Sequence, residues 1–282
     1  MKQTLNSRIS KIDEVKLFRL MAELFNSSTS KSTFVQEAHG QKGYIDYNSK
    51  ISGKRKKIEI ADLLLITFNR KTNETRLCFI QAKYKRGNFR RFLNFQGNIY
   101  QWELLKEKPD IIDTYRLGYP TNILNFSTSY ESITSFGIFY YDRSKQLDFL
   151  FTLPQHIHPN NLSPKSLASG HITMNFNVSC HCPNIACLKG RMPHETISTC
   201  SIDIFEQEAL NCRIGAPIDP SLMPFLTNVL HSMRKNMNDN DEVINELMER
   251  LDIINSDYQD TSHYPNTIIL LTDGTEINKN FG

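Results

Sequence analysis

Residues 54–91, which decide the fold, read KRKKIEIADLLLITFNRKTNETRLCFIQAKYKRGNFRR. They contain an apolar run from Ile58 to Phe68, a polar turn from Arg70 to Glu74, and a second apolar run from Leu77 to Ala82. Two apolar runs of strand length on either side of a polar turn predict an antiparallel hairpin. We therefore expect this stretch to form the centre of a sheet.

The pairing of the two strands places an aspartate beside the end of the second strand. With the turn centred near residue 72, Asp62 is expected to face Ala82 or Lys83. The period of two along a strand puts Gln81 and Lys83 on one face and Ala82 on the other. A carboxylate inside an apolar run is costly unless it finds a cation, a metal or several donors. Asp62 is therefore predicted to have a partner or a chemical task.

The motifs I-A-D-L-L-L-I around Asp62 and Q-A-K at residues 81–83 resemble those of the PD-(D/E)xK nuclease superfamily, which has the restriction-endonuclease-like fold. The resemblance implies a magnesium-dependent phosphodiesterase site. Asp62 takes the place of the metal-binding aspartate, Gln81 that of the acid, and Lys83 that of the lysine. Ala61 stands where the pattern name has proline, and the neutral Gln81 removes one charge from the metal site.

The residue types suit this chemistry. Magnesium prefers oxygen ligands, commonly one or two carboxylates together with waters and substrate phosphate. Asp62 is expected to bind Mg²⁺, or Mn²⁺ as a substitute, and the Gln81 side chain and the Ala82 carbonyl complete the protein ligands. Lys83 is expected to position the attacking water and to offset charge in the transition state.

The resemblance also implies an additional acid from a helix before the first core strand. Glu37 has the right place in chain order, on a short helix predicted to start at Ser32 or Thr33. Glu14 and Glu23, on an amphipathic helix predicted over residues 12–25, are its rivals. For all three the alternative is a solvated helix surface.

The charge distribution favours a polyanionic partner. Residues 1–100 hold 20 Lys and Arg against 8 Asp and Glu, whereas the remainder holds 13 against 22. A basic first third carrying the candidate site suits double-stranded DNA, although a solvated lysine-rich face gives the same count. The residues expected to contact DNA are Lys54, Arg55, Lys56, Lys57, Lys85, Arg86, Arg90, Arg91, Gln96 and Tyr100. The last two form a Q-x-x-x-Y pattern on a helix predicted over residues 92–105, which resembles a motif of the RecB-like branch of the superfamily.

The composition is that of a globular protein, with 39% hydrophobic and 22% charged residues. No apolar run approaches the 18 residues of a membrane span, and MKQTLNSRISK lacks the apolar core of a signal peptide. The sequence therefore predicts a cytoplasmic protein that does not bind membranes.

Beyond the hairpin, strands are predicted over residues 135–141 and 147–152, followed by a Pro-, Asn- and Ser-rich boundary at 153–170. We expect a nuclease core over residues 1–155 and an accessory region over 156–282. In the accessory region, helices are predicted over 222–237 and 242–254 and a strand over 267–271. The two helices either pack on the sheet or form the seam of a homodimer.

The accessory region concentrates cysteines and histidines within residues 171–200. Cys180, Cys182, Cys187, His194 and Cys200 offer enough soft ligands for one tetrahedral Zn²⁺, but their spacing matches no common zinc finger. The alternative is a set of reduced thiols that pack as small hydrophobic side chains, as expected for Cys78 and Cys212.

The sequence as a whole predicts an α/β protein with a restriction-endonuclease-like mixed sheet flanked by helices. The expected activity is Mg²⁺-dependent endonucleolytic cleavage of DNA in restriction, host defence or repair. Two alternatives remain open. One is a non-catalytic nucleic-acid-binding module, with an Asp62–Lys83 ion pair and a structural zinc. The other is a nuclease of the same fold that acts on RNA or single strands.

Overall fold

The computed structural model describes residues 2–7, 20–21, 25, 33–36, 43–85, 92–112, 118–142, 144–160, 162–177, 187–192, 194–236, 241–254 and 264–273. The strands are β1 (Thr33–Gln36), β2 (Tyr44–Asn48), β3 (Arg55–Glu59), β4 (Leu63–Asn69), β5 (Glu74–Tyr84), β6 (Phe92–Asn98), β7 (Thr134–Tyr141), β8 (Leu147–Thr152), β9 (Ile157–Pro159), β10 (His171–Asn177), β11 (Cys187–Lys189), β12 (Thr196–Thr199), β13 (Ala216–Pro217) and β14 (Asn266–Thr272). The helices are α1 (Lys2–Ser7), α2 (Ile99–Glu107), α3 (Pro164–Ser169), α4 (Ile202–Leu210), α5 (Met223–Asn236) and α6 (Glu242–Arg250).

Nine of the described strands form one mixed sheet. Its order is β1-β14-β4-β5-β7-β8-β12-β11, with β13 paired to β5. β14 runs parallel to β4, and β5 runs parallel to β7, whereas the other neighbours are antiparallel. The predicted α/β class with a mixed sheet flanked by helices is therefore confirmed.

The central hairpin is confirmed, with a register that differs slightly from the expected one. β4 pairs antiparallel with β5, with Leu63 opposite Ile80 and Asn69 opposite Glu74. Asn73 closes the turn with a φ of 55°, a left-handed conformation that Asn tolerates better than most residues. Continued by one residue, this register brings Asp62 level with Gln81 rather than with Ala82 or Lys83.

The predicted first strand is interrupted before Asp62. β3 ends at Glu59 and pairs with β2 in a separate two-stranded sheet, and β4 begins at Leu63. The intervening Ile60 and Ala61 are fully buried. Asp62 therefore lies at a bend between two sheets instead of in the middle of one strand.

Hydrophobic side chains cover both faces of the main sheet. Leu77 and Phe79 pack in one cluster with residues of α5 and α6, while Cys78, Ile80 and Ala82 pack in another with residues of α4. This confirms the predicted alternation along β5. A third cluster joins α2, β6, β9 and β10 to Phe136 and Ile138 of β7. Met21 and Phe25, from the helix predicted over 12–25, are helical and fully buried in the α4 cluster; most of that helix lies outside the described residues.

Several other predictions are confirmed. β7 and β8 form the expected hairpin, β14 the expected strand, and α5 and α6 the expected helices. Asp241 caps α6 by accepting hydrogen bonds from the Val243 and Ile244 backbones at 2.9 and 3.2 Å. Both helices bury apolar residues in the same cluster as β4 and β14, so they pack on the sheet. Cys78 and Cys212 are buried free thiols, as expected.

Two helix predictions are wrong. Thr33–Gln36 is a strand that pairs with β14, because the short T-F-V segment has strand propensity and a sheet edge to join. Residues 92–98 form β6 and only 99–107 are helical, because β6 finds a seven-residue antiparallel partner in β10. Asn98 then caps α2 by accepting from the Tyr100 amide at 2.9 Å.

Strands from both sides of residue 155 share the main sheet. β12 pairs with β8, and β14 lies between β1 and β4. The segment predicted as accessory thus contributes strands to the sheet that carries the candidate site.

An ion pair fastens the turn of the central hairpin to α6. Arg70 donates from Nε and Nη2 to the two carboxylate oxygens of Glu246, both at 2.7 Å. The Arg70 hydrogen bond lowers the pKa of Glu246 below its ordinary value of 4.5. Because folding lowers this pKa, the ion pair stabilises the folded protein fully at pH values above 4.5. The stabilisation is lost as the pH falls through the lower pKa of the folded state.

We expect Glu246→Gln to destabilise the protein by about 1 kcal/mol at pH 7, because the pair is bidentate but partly exposed. Urea unfolding measured at pH 7 and below pH 4 checks this. The difference from the unmodified protein should shrink at the acidic pH, and an equal difference at both would contradict the assignment.

Candidate active site

The end of the central hairpin brings a carboxylate, an amide and an ammonium group onto one face. The Asp62 Oδ2 accepts a hydrogen bond from the Ala82 backbone amide at 2.8 Å and another from the Gln81 Nε2. Lys83 follows two residues after Gln81 on β5 and therefore points to the same side. The structure thus places Asp62, Gln81 and Ala82 in contact, and Lys83 lies two residues beyond Gln81 on the same face of β5.

The Asp62 backbone is held from two sides. Its amide donates to the Ile80 carbonyl at 3.2 Å, and its carbonyl accepts from Asn266 Nδ2 at 3.1 Å. Asn266 is the first residue of β14, which pairs with β4 in parallel. The position of Asp62 is therefore fixed by hydrogen bonds that join its backbone to the Ile80 carbonyl of β5 and to the Asn266 side chain of β14.

Gln81 is a buried amide with an unused acceptor. Its side chain is only 2% exposed, and its Oε1 has no hydrogen-bond partner. A buried polar atom without a partner costs free energy, so natural proteins rarely retain one without a reason. A half-turn of the amide exchanges Nε2 and Oε1 and would direct this oxygen toward the Asp62 carboxylate.

Lys83 is half-buried and forms no ion pair or hydrogen bond within the described part of the chain. The Asp62–Lys83 ion pair expected of a purely structural hairpin is therefore not formed. The hydrogen-bonding partners of Asp62 on β5 are instead the Gln81 amide and the Ala82 backbone. The Lys83 ammonium group thus keeps its donors for other groups.

The donor types fit a hard divalent cation. Magnesium prefers oxygen ligands, and the site offers the Asp62 carboxylate, the unpartnered Gln81 Oε1 and the Ala82 carbonyl. No group of three or more His, Cys, Asp or Glu that could hold a metal lies among the described residues. The candidate ligands here differ from such a group, because two of the three oxygens belong to an amide side chain and a backbone carbonyl. Glu37, the predicted additional acid, lies outside the described residues.

The predicted DNA-contacting cations lie in different environments. Lys54 and Lys57 are exposed around β3, whereas Arg55 pairs with Asp46 at 2.7 Å and the Lys56 Nζ lies 3.8 Å from the centroid of the Tyr100 ring. Lys85 is half-buried at the end of β5. The remaining arginines, Arg86, Arg90 and Arg91, lie outside the described residues.

The Q-x-x-x-Y pattern does not lie on one helix. Gln96 belongs to β6, and Tyr100 belongs to the first turn of α2. Gln96 is exposed and donates from Nε2 to the Thr173 hydroxyl at 2.8 Å. Tyr100 is buried and donates its hydroxyl to the Leu167 carbonyl. A shared nucleic-acid-facing helix surface for these two residues is therefore ruled out.

The proposed zinc ligands are described only in part. Cys180 and Cys182 lie outside the described residues, as does the Cys187 side chain. His194 is exposed and precedes β12, whereas Cys200, which is exposed and forms no disulfide within the described part of the chain, follows it. The two side chains thus lie at opposite ends of an extended strand, and the zinc site stays a prediction.

Two residues that support the site were not predicted. Asn266 fixes the Asp62 carbonyl, and Gln101 of α2, which is buried, donates from Nε2 to the Glu59 carbonyl at 3.3 Å. Gln101 therefore anchors the end of β3 just before the bend at Asp62. The only sequence signal was a polar side chain at the edge of an apolar run, which is too common to single out either residue.

No protein-family model and no curated protein sequence matches this chain. Among the described residues, none of the helices has the length and apolar character needed to span a membrane.

Proposed function

We propose that this chain is a divalent-metal-dependent endonuclease with the restriction-endonuclease-like fold. It hydrolyses phosphodiester bonds of double-stranded DNA in the cytoplasm, in a restriction, host-defence or repair setting. One observation carries the proposal: the Asp62 carboxylate accepts from Gln81 and Ala82 at the end of a hairpin, and the buried Gln81 Oε1 there has no hydrogen-bond partner. Lys83 follows on the same face of β5 as Gln81.

Each residue has a role set by its chemistry. Asp62, Gln81 and the Ala82 carbonyl would hold Mg²⁺ or Mn²⁺, and Glu37 is the candidate for an additional ligand. A bound divalent ion lowers the pKa of a coordinated water and neutralises phosphate charge. Lys83 positions the attacking water with its ammonium donors and stabilises negative charge that develops on the phosphate. The half-buried location of Lys83 strengthens this electrostatic contribution.

Substrate binding relies on the basic surface beside the site. Lys54 and Lys57 are exposed cations on the segment that leads to Asp62. Lysine contacts to phosphates give affinity without sequence preference and weaken as the salt concentration rises. These residues therefore position the duplex, and they do not select the sequence to be cut.

The test is cleavage of supercoiled and linear DNA with Mg²⁺, with EDTA as the first control. We expect nicking or linearisation only with the metal, and Lys83→Ala should slow it by about 100-fold or more because a positioned electrostatic group is lost. Lys71→Ala, which removes an exposed lysine at the opposite end of the same hairpin, is the matched control and should cleave normally.

Two results would overturn the proposal. Absence of cleavage in Mg²⁺ and Mn²⁺, with DNA binding unaffected by EDTA, would indicate a binding module. Cleavage of RNA or single strands in place of duplex DNA would retain the site but replace the substrate.

A further inference from the structure

A second sheet packs beside the candidate active site with one face and presents a polar surface on its other face. Its strands are β6, β10 and β9, in that order, and all neighbours are antiparallel. We call these three strands the ribbon. Asn94 pairs with Asn175, Gln96 pairs with Thr173, and Asn175 pairs on its other side with His158. Polar side chains thus stand opposite each other across all three strands.

The two faces of the ribbon differ sharply. One face is buried in the third hydrophobic cluster, and its members include Phe95, Ile157, Ile172, Met174 and Phe176. The opposite face is exposed or half-buried and carries only polar side chains among those described. They are Asn94, Gln96, Asn98, His158, His171, Thr173 and Asn175. Such alternation is typical of an antiparallel sheet that packs on the core with one face and meets solvent or a ligand with the other.

The ribbon is anchored on the strand next to the catalytic candidates. Phe95 of β6 packs against Phe136 of β7, with ring centroids 6.3 Å apart. Phe136 pairs with Gln81, and Ile138, in the same hydrophobic cluster, pairs with Lys83. Paired residues point to the same face of a sheet. The ribbon therefore covers the face of the main sheet to which Gln81 and Lys83 belong.

The two segments that build the ribbon contain no acidic residue. There is no Asp or Glu from residue 75 to 102, or from 149 to 194, although the chain has 30 of them in 282 residues. Basic residues occur in both segments, for example Lys83 in the first and Lys165 in the second. A surface free of carboxylates does not repel the phosphates of nucleic acid.

Hydrogen bonds to neighbouring side chains hold two amides of the outer face in fixed orientations before any ligand binds. The Gln96 amide donates to the Thr173 hydroxyl at 2.8 Å, and the Asn175 amide donates to the Asn160 side chain. The Oδ1 of Asn175 is buried without a hydrogen-bond partner. Side-chain amides held by a neighbour lose little entropy when they bind, which favours specific recognition.

We propose that the outer face of the ribbon reads base edges in the major groove of duplex DNA and selects the sequence that the nuclease cuts. The inference rests on the proposed function for its biological role. The major groove admits a β-ribbon, and Asn or Gln can form two hydrogen bonds with adenine there.

The experiment is selection from a randomised duplex library in EDTA, which separates binding from cleavage. The unmodified protein should enrich a motif that contains adenine. Gln96→Ala should reduce discrimination at one base position about tenfold, with unchanged affinity for random DNA. Gln96→Glu should shift the preference at that position from adenine toward cytosine, because a carboxylate accepts from the cytosine amino group.

Lys57→Ala is the matched control. It removes a phosphate contact, so it should weaken binding to all sequences alike and reduce the salt dependence. Because Gln96 is exposed, both of its variants should unfold at the same temperature as the unmodified protein.

Failure of the inference and failure of the proposed function give different results. A protein that cleaves DNA but enriches no motif, or whose motif is unchanged in both Gln96 variants, contradicts base reading and leaves the nuclease proposal intact. A protein that enriches a motif but never cleaves retains the inference and loses the nuclease. Preference for RNA or single strands, or no binding to DNA, overturns the inference.

Discussion

Asp62→Asn is expected to reduce Mg²⁺-dependent DNA cleavage by at least about 1000-fold. The substitution removes the described carboxylate at the hairpin end but keeps the size of the side chain. An asparagine Oδ1 can still accept the hydrogen bond that the Ala82 backbone amide donates at 2.8 Å. The hairpin should therefore stay folded while its affinity for a divalent cation falls.

Metal binding gives a second readout that does not depend on catalysis. If Mg²⁺ binds with a Kd on the order of 1 mM, adding 10 mM should stabilise the folded protein by about 1.4 kcal/mol. For a chain of this size this corresponds to a rise in melting temperature of about 2 °C, which Asp62→Asn should abolish. Asp110→Asn, at an exposed loop position after α2, should retain both the activity and the rise. An Asp62→Asn protein that cleaves within tenfold of the unmodified one would exclude Asp62 as the metal ligand.

Glu195→Ala is expected to cost about 3–5 kcal/mol of folding free energy, the largest effect on stability that the structure suggests. Glu195 is fully buried, and its Oε1 accepts from the Glu131 and Ser132 amides at 2.7 and 2.8 Å and from the Ser132 hydroxyl at 2.8 Å. Lys108, whose pKa is lowered by burial, loses the attraction of this carboxylate when it is removed. The substitution therefore leaves three donors without their acceptor and removes one of the charges that favour the protonated form of Lys108.

Urea unfolding at pH 7 measures this cost, with Glu195→Gln and Glu249→Ala as comparisons. Glu195→Gln keeps the volume and one acceptor oxygen, so it should cost about half as much. Glu249 is exposed on α6, and its replacement should change stability by no more than about 0.5 kcal/mol. A Glu195→Ala protein within 1 kcal/mol of the unmodified one would show that the buried network is not a structural anchor.

The elements with strong periodicity were predictable from sequence. The central hairpin, β7, β8 and β14 have continuous apolar runs bounded by polar residues, and α6 combines an apolar stripe with the cap residue Asp241. Their burial follows directly from these patterns. The period of two along β5 also predicts that Gln81 and Lys83 lie on the same face of the sheet.

The elements that depend on distant partners were not predictable. Residues 92–98 carry apolar side chains at spacings compatible with both a helix and a strand, and the pairing with β10 decides between them. The register of the hairpin depends on the geometry of the turn at Asn73, and a difference of one residue changes the neighbour of Asp62. The bend before Asp62 exists because β3 joins β2 in another sheet, which no local pattern indicates.

The central position of β14 has a consequence for the order of events during synthesis. This strand lies between β1 and β4, and its first residue, Asn266, binds the Asp62 carbonyl. A nascent chain that ends before residue 266 lacks the parallel neighbour of β4 and leaves that strand with an open edge. Pairing between segments about 200 residues apart forms slowly, because a long loop must close first. The candidate catalytic centre is therefore completed only after translation has passed β14, and shorter translation products carry the motif residues without the arrangement that would make them active.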